Sequence, residues 1–244
     1  MTEPVMISLA GGIAEVTLSR PEKLNAMSRL LIKSLTAAIV NVSGDDTLRC
    51  VVISGAGRAF SAGADVVELK NLTPGNAEQF IRLLHSACQA VRDCPVPVIA
   101  KIDGPCMGGA LELAASCDMR GASERSTFAM PEVQIGIPSV IEAALLPRLM
   151  GWGRASELLY TGRTLTAEEA LEAGIIEKVA PPVNLDHAIA AWTDAILSAG
   201  PKAIRTQKKL MRRWEQVMID EAIEVGVASF REAYSSDEPQ TSLQ

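Results

Sequence analysis

Residues 96–117 constrain the architecture more than any other part of the chain. The run Val96-Pro97-Val98-Ile99-Ala100-Lys101-Ile102 is almost wholly apolar, and Gly104-Pro105 closes it. A short apolar run bounded in this way predicts a strand buried on both faces. After Gly108-Gly109 come Ala110, Leu111, Leu113, Ala114 and Ala115, which predict a short buried helix over 109–117. A strand and a helix that are both buried need further layers on each side. The pattern therefore predicts stacked α/β layers.

The flanking segments agree. Residues 5–9 and 13–18 surround Gly11-Gly12 and predict a hairpin. Leu31, Leu35, Ala38, Ile39 and Val42 recur at helical spacing within 28–42. Residues 50–54 predict another buried strand, 76–94 a helix, and 140–150 and 154–160 two more helices. Thr166 and Glu169 have the spacing of a capping box, and Gly174 closes the helix they open. Pro181-Pro182 marks a boundary, after which the pattern is helical except at Gly200-Pro201. The polar tail 235–244 is expected to fray. We expect a core over 1–184 and a helical region over 185–244.

Composition excludes several classes. The chain has 244 residues, of which 48% are apolar, enough to build a sizeable core. Its longest stretch without a charged residue is 11 residues, whereas a bilayer span needs about 20. No membrane association is expected. With 23 basic and 29 acidic residues the net charge is −6, which argues against nucleic acid unless basic residues cluster. They do so once, at Lys202, Arg205, Lys208, Lys209, Arg212 and Arg213. A solvated helix face is the expected reading, with a local anchor for an anionic ligand as the other. Five cysteines without a CxxC pair argue against a disulfide framework or a zinc site. The opening MTEPVMISLAGG has neither a basic n-region nor a long apolar h-region, so a cytoplasmic location is expected.

Three segments are candidates for chemistry. In 104–112 a strand ends in a glycine-rich turn at a helix N-terminus, where backbone N–H groups can hold an anion or a developing oxyanion. Glu112 lies one turn further on in an apolar helix. A carboxylate there is costly unless it is paired or used, although the exposed helix face is an equal alternative. Glu132 follows Pro131 in a short non-helical segment, where an exposed loop glutamate is the plainer reading. The loop 57–65 follows a strand and consists largely of small residues. It lacks GxGxxG and is not a Walker A loop. His85 and His187 are the only histidines, and both are expected to be structural. Without GxSxG, HExxH or a metal-ligand cluster, serine hydrolase and metal chemistries are not expected.

In order along the chain, these segments resemble the crotonase (enoyl-CoA hydratase/isomerase) superfamily. The resemblance is carried by Arg20-Pro21-Glu22-Lys23-Leu24-Asn25-Ala26, Ala59-Phe60-Ser61-Ala62-Gly63-Ala64-Asp65 and Pro97-Val98-Ile99-Ala100. It continues in Gly108-Gly109-Ala110-Leu111-Glu112-Leu113-Ala114, Cys117-Asp118 and Phe128-Ala129-Met130-Pro131-Glu132. Leu159-Tyr160-Thr161-Gly162-Arg163 and Ala170-Leu171-Glu172-Ala173-Gly174-Ile175-Ile176 complete it. It implies a spiral of ββα units with a helical C-terminal region, assembled as a trimer or dimer of trimers. It also implies an acyl-CoA thioester substrate and no cofactor beyond that CoA. The thioester oxygen would lie between the N–H groups of Ala64 and Gly109. Glu112 would take the proton of an attacking water, and Glu132 would protonate the α-carbon. Lys23, Ala62, Asp65 and Val66 would contact CoA.

Retention of both glutamates favours hydration. An isomerase of the family works with one carboxylate, at the position of Glu132. That reaction, a related acyl-CoA lyase and a non-catalytic acyl-CoA-binding paralogue are the rivals. The chain departs from the hydratase pattern at Gly136-Ile137-Pro138-Ser139-Val140-Ile141-Glu142-Ala143, where Ser139 replaces a glycine. Glu142 introduces a further carboxylate, expected on an exposed helix face. Only 235–244 follow the last long helical pattern, so a weakened lid over the ligand is expected.

Overall fold

The expected hairpin is the first element of the computed structural model, which describes residues 3–243. Strands β1 (Val5–Ala10) and β2 (Ile13–Leu18) pair antiparallel through the Gly11-Gly12 turn. Helix α1 (Arg29–Ser43), strand β3 (Cys50–Gly55), helices α2 (Val66–Lys70) and α3 (Ala77–Asp93) and strand β4 (Val98–Ile102) follow. The chain continues through β5 (Pro105–Met107), α4 (Gly109–Ser116), β6 (Met119–Ser123) and β7 (Thr127–Ala129). Next come α5 (Leu146–Met150), α6 (Trp152–Thr161), β8 (Leu165–Thr166), α7 (Ala167–Ala173) and β9 (Lys178–Ala180). Helices α8 (Leu185–Ser198), α9 (Pro201–Trp214), α10 (Ile219–Ala233) and α11 (Glu238–Ser242) end it. Met1, Thr2 and Gln244, parts of the N-terminal and tail expectations, lie outside the described residues.

Two sheets form. The larger has the order β1-β2-β3-β4-β6-β9 and is parallel from β2 onward. The smaller has the order β5-β7-β8. After β4 in the large sheet the chain enters β5 in the small one and then α4. It repeats the pattern with β6 and β7. This alternation builds the ββα units. As expected, the buried strand ends before Gly104-Pro105; the structure adds a strand of the second sheet that opens at Pro105. Three residues are too few to show a period, so sequence pattern does not reveal β5.

The apolar run of β3 is buried on both faces, as expected. Its residues alternate between two cores. Val51 and Ile53 join the main core with Val98, Ala100 and Ile102. Cys50 and Val52 face a second core with Ile99 and with Leu185, Ile189 and Ile196 of α8. Helices α1 and α3 cover the main core. In α3 the residues Phe80, Leu84, Ala87, Cys88 and Val91 form one buried stripe. Each large side chain so buried contributes about 1.5–3 kcal/mol.

Three helical expectations change. Residues 140–150 are a 3₁₀ turn, Ile141–Leu145, followed by α5, whose first turn holds Pro147. The C-terminal helical pattern breaks between α9 and α10 as well as at Gly200. The tail contains α11, whose Glu238 carboxylate accepts the N–H groups of Lys202 and Ala203 at the start of α9. Acidic charge suits that helix N-terminus, which explains why the described part of the tail is ordered against it.

The basic cluster on α9 is only partly a solvated face. Lys208 is buried and pairs with Asp118 at 2.6 Å. Arg205 donates to the carbonyls of Asp45, Asp46 and Leu48. Arg212 pairs with Asp93 of α3 at 3.7 Å, and Arg213 with Glu221 of α10. These cations hold α9 to its neighbours.

Candidate active site

The loop 57–65 is shaped from below by Asn25. This side chain is fully buried, and its Nδ2 donates to the carbonyls of Ala56, Ala59 and Phe60 at 2.8–3.2 Å. Its Oδ1 accepts the Arg20 N–H at 2.8 Å. Ser61 adds a second clamp: its Oγ donates to the Asn25 carbonyl and accepts the Gly63 N–H. The Met27 N–H donates to the Gly63 carbonyl, and the Asp65 N–H donates to the Met27 carbonyl. Ala64 is thus fixed on both sides. Among the described residues its own N–H has no protein acceptor.

The same holds for the N–H of Gly109, the first residue of α4. The two loops touch. A methyl group on Gly63 would lie 2.5 Å from the Met107 carbonyl oxygen and 3.6 Å from the Gly109 nitrogen. The backbones can approach this closely only because position 63 has no side chain.

Both glutamates meet at the adjoining Gly108-Gly109 turn. Gly108 has φ +53°, and its N–H donates to the Ala129 carbonyl. A methyl group there would stand 2.4 Å from Glu132 Oε1. A methyl on Gly109 would lie 3.8 Å from Glu112 Oε2. Glu112 is 3% exposed, which settles the choice against the exposed helix face. Its Oε1 accepts the Ala143 N–H at 3.2 Å. Glu132 is half-buried on a 3₁₀ turn, Pro131–Ile135, and not in an irregular loop. Its Oε2 accepts a hydrogen bond from Ser139 Oγ at 3.0 Å.

Burial pushes the Glu112 carboxyl up to about 8, assisted by the negative charges of Glu132 and Glu142. The Ala143 amide opposes this and does not overcome it. Two carboxyls at one turn, one of them favouring its neutral form, can act as an acid–base pair. The free amides of Ala64 and Gly109 can receive an oxygen that gains negative charge.

Comparison with known proteins is decisive for the family. The sequence profile described as Enoyl-CoA hydratase/isomerase matches residues 8–244. The chain belongs to this family. It is 32% identical to the short-chain-enoyl-CoA hydratase of Clostridium acetobutylicum, over 98% of this chain and 92% of that one. It is 30% identical to the crotonyl-CoA hydratase of Syntrophomonas wolfei, over 99% and 94%. The crystal structure of an enoyl-CoA hydratase from Bacillus anthracis superposes with a TM-score of 0.95 at 29% identity, covering 99% and 95%. The fold is therefore that of the crotonases.

Within this enoyl-CoA hydratase/isomerase framework, the positions expected to contact CoA form a rim beside Ala64. Lys23 is exposed on the turn Pro21–Lys23, and the Ala62 N–H donates to the Leu24 carbonyl next to it. Val66 is exposed at the start of α2. The Asp65 carboxylate is already engaged. It pairs with Arg20 at 3.1 Å and caps α2 by accepting the Val67 N–H.

Sequence reasoning missed three contributors. Glu142 was expected to be exposed; it is buried, 6% exposed, with its charge acting on Glu112. Folding 140–150 as one amphipathic helix put it on the outer face, whereas the 3₁₀ turn brings it inward. His85, expected to be structural, has its Nδ1 2.7 Å from Glu142 Oε1, a partner the sequence does not show. Asn25, marked in the sequence only as part of the family motif, takes positive φ together with Leu24, a conformation that asparagine tolerates.

Proposed function

We propose that this protein is an enoyl-CoA hydratase, adding water reversibly to a 2-enoyl-CoA to give a 3-hydroxyacyl-CoA. The observation that carries the reading is the convergence of Glu112 and Glu132 on the Gly108-Gly109 turn, beside the free N–H groups of Ala64 and Gly109. The thioester oxygen binds those two amides, which stabilise the enolate formed as water attacks C3. The water oxygen bonds to C3, its proton passes to Glu112, and the proton of Glu132 goes to C2. One molecule of water is added, and the pair ends with Glu112 neutral and Glu132 ionised.

Burial favours the neutral form of Glu112 with which the addition ends. In the reverse reaction Glu112 protonates the departing hydroxyl and Glu132 removes the C2 proton. The chemistry needs carboxyls and backbone amides, so the CoA carried by the substrate is the sole cofactor.

In the same reading Lys23, Ala62, Asp65 and Val66 border the CoA. Assembly as a trimer or dimer of trimers is supported by the apolar face of α10, where Ile219, Ile223, Val227 and Phe230 are each more than half exposed. A cytoplasmic location is supported by five buried cysteines without disulfides. Among the described residues no helix is long and apolar enough to cross a membrane.

The test is incubation with 2-enoyl-, 3-enoyl- and 3-hydroxyacyl-CoA esters, with products identified by mass and stereochemistry. Interconversion of 2-enoyl and 3-hydroxy esters is expected. Conversion of 3-enoyl esters alone would make the protein an isomerase. Saturable binding without turnover would make it a non-catalytic binder.

A further inference from the structure

Glu142 occupies a position that folding alone does not favour. Its carboxylate is buried, and Oε2 has no hydrogen-bond partner among the described residues. An unpaired buried acceptor is destabilising. The residue before it, Ile141, has φ +43°. A β-branched side chain is a genuine outlier in that region, and such strain persists only where the surroundings enforce it. The residue after it, Ala143, supplies the N–H that holds Glu112. The enforcing contact comes from α3, where His85 Nδ1 lies 2.7 Å from Glu142 Oε1. An ionised carboxylate only accepts, so the ring nitrogen donates.

We propose that His85 and Glu142 form a positioning pair for Glu112. The imidazole anchors Glu142, Glu142 anchors the strained Ile141–Leu145 turn, and the turn presents the Ala143 amide and a second negative charge to the Glu112 carboxyl. The titratable groups facing Glu112 are Glu132 from the Pro131–Ile135 turn, Glu142 from its own turn and Cys88 from α3. Burial holds the thiol neutral. Beside burial itself, the two carboxylates are the charges that raise the proton affinity of Glu112, and only Glu142 is tethered by a side chain from another helix. The link to catalysis rests on the hydratase reading, in which Glu112 transfers a proton.

The test reads Glu112 directly. Protein carrying ¹³C at the glutamate carboxyls is titrated by NMR, with Glu112 assigned through Glu112→Gln, and kcat and KM for crotonyl-CoA hydration are followed against pH. Glu142→Gln keeps an acceptor for His85 and removes the charge. Its Glu112 carboxyl is expected to bind its proton about tenfold less tightly, moving the matching limb of the kcat profile to lower pH. His85→Phe removes the donor and is expected to lower kcat about tenfold or more with KM little changed, while His85→Gln restores most of it. His85 is half-exposed, so its variants carry the test if Glu142→Gln does not fold. An unmoved Glu112 titration in Glu142→Gln, or wild-type kcat in His85→Phe, would overturn the proposal. The titration needs no turnover. A protein that hydrates no enoyl-CoA therefore refutes the functional reading, and the NMR result still decides the positioning claim.

Discussion

The Ala143 N–H donates to Glu112 Oε1 at 3.2 Å, and among the described residues this is the only hydrogen bond to that carboxyl. One neutral donor cannot offset the removal of a carboxylate from water. This imbalance keeps the side chain neutral, and it has a measurable cost.

A carboxyl raised from 4.5 to about 8 binds its proton more tightly in the folded than in the unfolded chain. Its contribution to stability is full below the unfolded value and is lost as pH rises through the folded one. By linkage the loss is on the order of 5 kcal/mol. Glu112→Gln cannot ionise and escapes it. The variant is expected to melt above the wild type near about pH 9 and to match it near about pH 4.5. Thermal denaturation across that range checks this; a difference that does not vary with pH contradicts it.

Gly108→Ala should damage catalysis more than stability. The backbone at Gly108, φ +53° and ψ −125°, alone costs an alanine about 1–3 kcal/mol. Gly151, at φ +79° and ψ 155° with nothing within 4 Å of an added methyl, supplies a control with a backbone cost of the same order and no clash. At Gly108 the methyl meets Glu132 Oε1 at 2.4 Å and displaces the carboxylate. We expect kcat to fall about 100-fold in Gly108→Ala and to stay near wild type in Gly151→Ala, with similar melting temperatures.

Asn25→Asp separates hydrogen bonding from backbone conformation, because aspartate also tolerates the left-handed region. An ionised aspartate cannot donate to the carbonyls of Ala56, Ala59 and Phe60. Each buried carbonyl left unpaired costs about 1–3 kcal/mol. The expected outcome is a lower melting temperature together with weaker binding of a non-reactive acyl-CoA, measured by calorimetry. Unchanged affinity would show that the clamp does not shape the loop.

Arg120 is 3% exposed and ties β6 to the segment before β9. It pairs with Glu177 and donates to the carbonyls of Ile175 and Cys117, each at 2.7 Å. Arg120→Met leaves these acceptors unpaired, with an expected loss of about 3–5 kcal/mol in denaturant unfolding. A loss under about 1 kcal/mol would place Arg120 among weak surface pairs.

The sequence shows elements whose signals are local. The β1–β2 hairpin, the Thr166–Glu169 capping box and the buried strand β3 each announce themselves within a few residues. The motif order also marks the two glutamates that the fold brings to the Gly108-Gly109 turn. What it does not show is where a charged side chain finds its partner. Glu142 and Lys208 look like exposed helix residues because their burial depends on His85 and Asp118, 57 and 90 positions away. Strands β5 and β8 are too short to carry a period. The strain at Ile141 has no sequence signature, because it is imposed by the elements around it.

Hydration itself is tested most directly by turnover of crotonyl-CoA in heavy-oxygen water. The account predicts a 3-hydroxybutyryl-CoA carrying the solvent oxygen at C3 and a solvent hydrogen at C2, with rates lowered by orders of magnitude in both Glu112→Gln and Glu132→Gln. Double-bond migration without oxygen uptake, or near-full activity in either variant, would contradict it.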